Sequence, residues 1–368
     1  MNRDGSRFKV QGSRLGSTVQ GSVQGSENGA IVERYRLDAE GLPDIPRRER
    51  RTTMGLTSDS FQSIRFATPE RLLAADRLLE IAARVGAGGA HGGMTTIDMD
   101  WARATRRLKE SLGLYLEIQT FLPREDPAVF EHAVKVAKEA GATSLRAVCL
   151  LGRRYEMFDS LAGWTEAVKG FHKQIATAVP ILERHRLPLG LENHKDFRVD
   201  QQVALLEQYS SEFLGVSLDT GNNLTVLDDP IETIEKLAPY TLNVHFKDMA
   251  AEETADGFRI SEVPLGEGML DIPRITDIIR TARPEVRFSL EMITRDPLEV
   301  PCLTEKYWST FDDVNGVALA RTVRRIRANV PHAPLPRITG LSPDDRLSLE
   351  MELVDRSIVY ARDRLGLA

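Results

Sequence analysis

The sequence predicts an α/β fold in which eight parallel strands close into a single (β/α)8 barrel, with a disordered N-terminal tail and extra C-terminal helices. From Met54 onward, short apolar runs alternate with helical segments, which is typical of parallel strands joined by helices. Polar residues that can bind metal end four of these runs. The 368 residues leave room for such a barrel, which takes roughly 250 residues.

The first 50 residues differ in composition from the rest of the chain. Gly, Ser and Gln dominate, and the tetrapeptide Val-Gln-Gly-Ser begins at positions 10, 19 and 23. Such a composition cannot bury enough apolar surface to offset the entropy of ordering. We therefore predict that residues 1–50 are a flexible low-complexity tail, and that residues 51–368 form the barrel with its C-terminal helical extension. The alternative is that the tail is a targeting or partner-binding arm.

The first half of the barrel contains four predicted strands. Thr68, Pro69 and Glu70 indicate the start of a helix that continues through Leu72, Ala75, Leu79 and Ala82. A second helix is predicted from Asp126 and Pro127 to Ala140, with Gly141 ending it. The predicted strands are residues 54–58, 85–90, 114–120 and 145–151, and a long helix is predicted near residues 162–186.

The second half contains four more apolar runs, at residues 187–191, 213–218, 242–244 and 286–290. They end at Glu192, Asp219, His245 and Glu291. The first three of these polar residues are 27 and 26 positions apart, which is about the length of one βα unit. The carboxyl ends of barrel strands lie on one rim, so we expect the four side chains to converge there.

Two long segments and two helices follow the regular pattern of the barrel. Residues 249–268 are predicted to be an extra loop, with a turn at Pro-Leu-Gly-Glu-Gly, and a second long loop follows Glu291. Loops of this length at the carboxyl rim usually cover a site. Helices are predicted near residues 316–328 and 342–365. The second helix is amphipathic, and we expect it to pack on the barrel, the alternative being a dimer contact.

Three carboxylates and one imidazole would make a site for one divalent metal ion. Hard oxygen ligands dominate and no thiolate contributes, so Mn²⁺ is favoured, with Mg²⁺ or Co²⁺ as alternatives. Such an ion can polarise the carbonyl group of a sugar and stabilise the enediolate that forms when a proton or CO2 leaves the adjacent carbon.

The overall composition excludes several other classes of protein. A net charge of -6 and a pI near 5.8 supply no basic surface for nucleic acid. Cys149 and Cys302 are too few and too far apart to indicate a disulfide or zinc framework. No stretch approaches the length of an apolar membrane span. We predict a cytoplasmic protein with a small-molecule sugar or sugar-acid substrate and no nucleic-acid or membrane partner. Possible assembly into a homo-oligomer is implied only by the family resemblance described next.

The last four strand ends resemble those of the xylose isomerase-like TIM barrels, a family of sugar isomerases and epimerases. The similar motifs are Leu-Glu-Asn-His at 191–194, Val-Ser-Leu-Asp-Thr-Gly-Asn at 216–222, Val-His-Phe-Lys-Asp at 244–248 and Leu-Glu-Met at 290–292. The resemblance covers roughly residues 54–330. It implies that Glu192, Asp219, His245 and Glu291 bind the metal. It also implies that Glu192 and Glu291 exchange protons with opposite faces of a ketose.

Strand alternation adds candidates for catalysis and substrate binding. His194 and Lys247 stand two positions after predicted ligands, so they should face the same side. His194 would transfer a proton or bind a hydroxyl, and Lys247 would hold a carboxylate or an enolate oxygen. The alternatives are that His194 only supports Glu192 and that Lys247 pairs with Asp248 or another carboxylate.

Two further candidates, His91 and Arg295, are predicted to bind the substrate. His91 lies in the glycine-rich segment 88–93, where the chain can approach a ligand closely, although an incidental loop histidine is the alternative. Arg295 would hold an acidic group. Weaker candidates for the same role are Arg146, Arg153 and Arg154.

The predicted function is a divalent-metal-dependent sugar isomerase or epimerase that acts on a keto-sugar or sugar acid through an enediolate. The alternative is a decarboxylase or lyase of a 3-oxo sugar acid, because residues 290–308 are similar to the branch of the family that includes 3-oxoisoapionate decarboxylase. A distant alternative is a DNA-repair enzyme like the endonucleases that cut at abasic sites, but Asn222 stands where those enzymes carry a histidine. A non-enzymatic binding protein is the remaining alternative.

Overall fold

The computed structural model describes residues 35–67, 72–331 and 333–368. The strands are β1 (Gly55–Thr57), β2 (Gly89–Gly93), β3 (Tyr115–Gln119), β4 (Leu145–Ala147), β5 (Leu189–Glu192), β6 (Leu214–Asp219), β7 (Thr241–Phe246), β8 (Asp248–Thr254), β9 (Gly257–Val263), β10 (Phe288–Leu290) and β11 (Leu298–Val300). Eight of them form a closed parallel barrel in the order β1-β10-β7-β6-β5-β4-β3-β2. The predicted (β/α)8 TIM barrel is therefore confirmed.

Helices surround the barrel and connect its strands. They are α1 (Gln62–Ala67), α2 (Ala75–Val85), α3 (Met99–Leu112), α4 (Pro127–Glu139), α5 (Arg154–Met157), α6 (Leu161–His185), α7 (Val199–Tyr209), α8 (Pro230–Leu237), α9 (Ile272–Ala282), α10 (Glu305–Trp308), α11 (Gly316–Ala328) and α12 (Pro343–Leu365). Capping side chains set several starts: Asp126 accepts a hydrogen bond from the Ala128 N–H at 2.8 Å, and Ser160 accepts one from Gly163 at 3.2 Å.

The second predicted strand, at residues 85–90, was placed too early. Val85 is the last residue of α2, and its side chain belongs to the buried face of that helix. Gly86 ends the helix with a φ of +78°, and the strand begins only at Gly89. The helix start predicted at Thr68–Glu70 lies outside the described residues, and α2 itself begins at Ala75.

The segment predicted as a loop at residues 249–268 is mostly an antiparallel hairpin. Strands β8 and β9 pair from Asp248 with Val263 to Thr254 with Gly257, and β11 adds a third strand. Apolar and polar residues alternate along Phe258–Ser261, which is the period-two pattern of a strand. The turn predicted at residues 264–268 is present, with Gly266 at a φ of +83°.

The C-terminal helix α12 packs on the barrel, as expected. The apolar residues predicted to share one face are all at most 3% exposed, and the helix contacts α1 and α9. These residues are Leu347, Met351, Val354 and Ile358.

Residues 35–50 precede the first strand and lie against α2. Leu42 is buried, Arg84 of α2 binds Asp38 at 2.7 Å, and Arg47 binds Glu80 at 2.8 Å. The division of the chain at residue 50 stays a prediction. No helix in the described ranges is both long enough and apolar enough to cross a membrane.

Candidate metal centre and substrate cleft

Three of the predicted metal ligands lie together at the carboxyl rim of the barrel. Glu192 ends β5, Asp219 ends β6 and His245 lies near the end of β7, so adjacent strands supply all three. One ligand atom from each lies within 4.8 Å of the others, and all three side chains are buried. Among the described residues this is the one group of its kind, and its carboxylate oxygens and imidazole nitrogen suit a divalent cation.

Glu291, the fourth predicted ligand, lies beside this triad rather than within it. Its Oε1 is 2.9 Å from His245 Nδ1, and its Oε2 is 2.5 Å from Lys247 Nζ. Burial acts to raise the pKa of Glu291, but Lys247 and His245 outweigh burial and hold it well below its usual value. Its role as a metal ligand therefore stays a prediction.

Lys247 is a buried cation among these acidic groups. Its Nζ lies 2.7 Å from Asp219 Oδ2 and 3.2 Å from Asn222 Oδ1, in addition to the contact with Glu291. Burial lowers the pKa of Lys247, but Asp219 and Glu291 outweigh this effect and raise it. Lys247 therefore pairs with neighbouring carboxylates and not with Asp248. Asp248 instead accepts hydrogen bonds from backbone N–H groups of the turn after β9.

Hydrogen bonds orient the carboxylates of the triad. Asn222 donates from Nδ2 to Glu192 Oε1 at 3.0 Å, and its backbone N–H donates to Asp219 Oδ1 at 2.8 Å. Arg146 donates from Nε to Glu192 Oε2 at 2.5 Å. The side-chain amide of Asn193 donates from Nδ2 to the Asp219 C=O and accepts at Oδ1 from the Asp219 N–H, both at 2.7 Å. Partners of this kind fix ligand geometry at metal sites.

A second histidine contacts the imidazole of His245 at Nε2, the ring nitrogen that points away from the carboxylates. His245 Nε2 lies 3.2 Å from His91 Nδ1, and His91 Nδ1 is 3.4 Å from Glu117 Oε2. Burial raises the pKa of Glu117 to about 8, so this carboxyl group carries a proton at neutral pH. His245 therefore has its Nδ1 on the side of the carboxylates and its Nε2 engaged elsewhere, as metal-binding histidines usually do.

The buried polar atoms of the triad fit a bound cation. Neither Asp219 Oδ2 nor His245 Nδ1 has a partner with hydrogen-bond geometry, although Lys247 and Glu291 lie close to them. Burial raises the pKa of Asp219, while the charge of Lys247 opposes that rise. Glu192, Asp219 and His245 are thus the residues that would hold the ion.

A cleft of about 630 Å³ opens over this site. Its walls come from the carboxyl ends of strands together with the segments after β5 and β10. The charged or titratable residues that line it include Asp59, Arg65, Arg146, Glu192, His194, Lys195, Glu291 and Arg295. The cleft thus combines acidic groups and several cations with apolar side chains such as Phe121 and Ile293.

The structure brings some of the predicted substrate residues into this cleft and leaves others outside it. His194 lines it, and its Nδ1 is buried without a hydrogen-bond partner. Arg295 also lines it and binds Glu262 at 2.6 Å. The glycine-rich turn predicted around His91 is instead strand β2, and the side chain is fully buried against His245.

Two of the weaker arginine candidates have structural contacts outside the cleft. Arg153 pairs with Glu156. Arg154 is buried, with its guanidinium 4.4 Å from the ring centre of Trp164 and 4.2 Å from that of Phe311. Neither residue lines the cleft over the candidate metal centre.

Sequence reasoning missed three residues of this site. Lys195 lines the cleft, Glu117 supports His91, and Asn222 links two triad carboxylates. A sequence signal existed for Glu117, because it lies in the middle of a predicted buried strand, where a carboxylate is costly without a purpose. Asn222 was noted only for not being a histidine.

Residues 124–309, half of the chain, match the model of the xylose isomerase-like TIM barrel family. The chain belongs to this family. A segment of 135 residues is 30% identical to the 3-oxo-isoapionate decarboxylase of Pectobacterium atrosepticum, covering 36% of this chain and 49% of that protein. The chain spans about half the length of the curated relatives it matches.

Solved structures of other family members share the fold. A xylose isomerase domain protein from Planctomyces limnophilus is 15% identical with a TM-score of 0.50, covering 66% of this chain and 92% of that one. A xylose isomerase-like TIM barrel protein from Mycobacterium smegmatis, in complex with magnesium, is 16% identical with a TM-score of 0.50, covering 76% of this chain and 100% of that one.

Proposed function

We propose that this chain is a divalent-metal-dependent enzyme that forms an enediolate from a keto-sugar or a sugar acid. The observation that carries the proposal is the convergence of Glu192, Asp219 and His245 on one rim, beneath a cleft lined by several charged side chains. The ion, when bound, would supply Lewis-acid polarisation of a substrate carbonyl group. Mn²⁺ is our first choice, with Mg²⁺ or Co²⁺ as alternatives.

The chain's own residues hold the reacting groups in place. Arg146 and Asn222 fix both oxygens of Glu192, and Lys247 lies between Asp219 and Glu291. Lys247 can therefore stabilise negative charge that develops on a substrate oxygen near these carboxylates. Burial is the main cause that lowers the pKa of His194, and the charge of Lys195 lowers it further, so the environment favours the neutral imidazole, which can bind a substrate hydroxyl group.

Of the reactions that use an enediolate, we favour decarboxylation of a 3-oxo sugar acid. In this reaction the bond to the carboxylate carbon breaks, CO2 leaves, and the electron pair passes to the oxygen of the 3-oxo group. A proton delivered to the carbon then completes the product. The cations on the cleft wall suit an acidic substrate, and the relative from Pectobacterium atrosepticum is named a 3-oxo-isoapionate decarboxylase.

The second candidate is isomerisation or epimerisation of a keto-sugar. The observation that favours it is the pair Glu192 and Glu291, which come from β5 and from the end of β10, with β6 and β7 between them. Two carboxylates that approach a substrate from different strands can remove a proton and return it.

Metal binding is tested with isosteric variants of the ligands. We expect Glu192→Gln and Asp219→Asn to reduce Mn²⁺ binding in equilibrium dialysis and to abolish turnover, because each loses an anionic ligand. Glu350→Gln is the matched control, since Glu350 is equally buried but lies on α12. Unchanged Mn²⁺ binding by both ligand variants would contradict the proposed site.

The reaction is tested by incubating Mn²⁺-loaded protein in D2O with 3-oxo sugar acids and, separately, with ketoses. CO2 release from the acids, with one deuterium incorporated per product, is the expected result. Deuterium exchange into ketoses without CO2 release from any acid would replace decarboxylation by the isomerase candidate. If protein that binds Mn²⁺ shows neither CO2 release nor deuterium exchange, the enediolate proposal is refuted.

A further inference from the structure

Lys195 is a buried lysine on the wall of the cleft. It lies three residues after Glu192, is 6% exposed, and borders the cleft together with His194 and Arg295. The backbone that carries it is fixed on both sides: its C=O accepts a hydrogen bond from the Arg154 N–H at 2.9 Å, and Asn193 is bonded to Asp219. Its position is therefore set by the same segment that sets Glu192.

Lys195 differs from the other cations in this region, because no carboxylate of the described residues forms an ion pair with it. Arg146 pairs with Glu192, Arg295 with Glu262, and Lys247 with Asp219 and Glu291. Within the part of the chain that the structure describes, the polar contact of the Lys195 ammonium group is His194 Nε2, at 3.4 Å. A buried ammonium group without an anionic partner is costly, so proteins rarely keep one without a use.

The electrostatic surroundings of Lys195 agree with this description. Burial is the main cause that lowers the pKa of Lys195, and the nearby charges of Lys247 and Arg295 lower it further, while the more distant charges of Asp219 and Glu262 only partly oppose this shift. An anion entering the cleft would relieve both effects, since it would replace lost hydration and offset the neighbouring positive charge.

We propose that Lys195 binds the carboxylate of the substrate, and hence that the substrate is an anionic sugar acid rather than a neutral sugar. This inference rests on the proposed function, because it takes the cleft over the metal centre as the substrate site. A single ammonium group without a carboxylate in contact matches one substrate carboxylate better than a phosphate dianion. The carboxylate would lie against the Lys195 ammonium group, on the wall of the cleft that also carries His194 and Glu192.

The test compares two probes that share a six-carbon skeleton, D-gluconate and D-glucitol, in which a CH2OH group replaces the carboxylate. Binding to Mn²⁺-loaded protein is measured by isothermal titration calorimetry, with inorganic phosphate as a third probe. We expect the wild type to prefer gluconate over glucitol by at least about tenfold, the value of one hydrogen bond to a charged group. We also expect phosphate to bind more weakly than gluconate.

The variants are Lys195→Met, which keeps the apolar stem of the side chain, and Lys195→Arg, which keeps its charge. We expect Lys195→Met to lose the preference for gluconate while its binding of glucitol and Mn²⁺ stays unchanged, and Lys195→Arg to retain part of the preference. Lys169→Met is the matched control, because Lys169 lies on α6 with its side chain 68% exposed.

Several results would overturn the inference. They are no measurable binding of gluconate to the wild type, an unchanged preference in Lys195→Met, equal losses for gluconate and glucitol, or phosphate binding as tight as that of gluconate. These outcomes differ from failure of the proposed function, which would appear as Mn²⁺ binding that is absent or insensitive to Asp219→Asn, whatever Lys195→Met does.

Discussion

Asn222 should control metal affinity without itself binding the metal. Its side chain donates to Glu192 Oε1 at 3.0 Å and accepts from Lys247 Nζ at 3.2 Å, so Asn222→Ala removes two hydrogen bonds to charged groups. Only the first of these bonds holds a predicted ligand, and the backbone N–H to Asp219 survives in the variant. Loss of such a supporting partner typically weakens metal binding about 10- to 100-fold, or about 1.4–2.8 kcal/mol.

The assay is calorimetric titration of metal-free protein with Mn²⁺, and circular dichroism establishes that the variant is folded. Asn315→Ala is the control: Asn315 caps α11 through the N–H groups of Val317 and Ala318, so its loss should cost about 1 kcal/mol of stability and leave Mn²⁺ affinity unchanged. An Asn222→Ala variant that binds Mn²⁺ within twofold of the wild type would refute the reasoning. The same conclusion would follow if Asn315→Ala weakened binding equally.

Two predictions concern the scaffold. Burial raises the pKa of Glu350 from 4.5 to about 8, so between these values the folded protein keeps a proton that the unfolded chain releases. The protonated Glu350 therefore contributes stability that is complete below pH 4.5 and is lost as pH rises toward 8, by up to about 1.4 kcal/mol per pH unit. Urea unfolding of Glu350→Gln should give a free energy of unfolding that depends less on pH across that window. An unchanged profile would contradict a protonated Glu350. Tyr115 accepts from the Gly55 N–H at 2.9 Å and donates to the Phe288 C=O at 2.8 Å, where β1 meets β10. Tyr115→Phe should cost about 1–3 kcal/mol in the same assay, and a loss below 0.5 kcal/mol would show that these bonds do not help close the barrel.

The barrel and the position of the triad were predictable because both follow from short-range patterns. Apolar runs with the spacing of βα units predict parallel strands, and parallel strands place their carboxyl ends on one rim. The location of Glu192, Asp219 and His245 on the rim could be predicted from their positions at the ends of such runs alone. The hairpin at β8 and β9 was missed because polar residues interrupt both strands, which therefore lack the continuous apolar run used for the barrel.

Lys195 could not be found from the sequence for a different reason. It stands in an irregular segment after β5, where neither helical nor strand periodicity assigns a direction to a side chain. Its neighbours include Arg154 of α5, whose N–H donates to its C=O, and Arg295 on the cleft wall, both of which are distant along the chain and meet it only in the fold. The ion pairs of a cation are likewise set by tertiary contacts. That Lys195 has no carboxylate partner among the described residues is visible only once the nearby carboxylates are seen to pair with Arg146, Lys247 and Arg295.

The polar interior of the barrel gives a physical reason for the fixed orientation of the His245 side chain in the site. Barrel interiors are usually filled by branched apolar side chains, but here Glu117, Ser144, Asn243 and Ser289 lie beneath the ligands, all buried. Asn243 donates to Ser144 at 2.9 Å, and the hydroxyl groups of Ser144 and Ser289 contact the two oxygens of Glu117. This network is costly to bury, and it holds Glu117 against His91 and thereby His91 against His245. A layer of Leu or Val would pack as well but would leave the imidazole free to rotate, so the polar layer exchanges stability for a fixed ligand orientation.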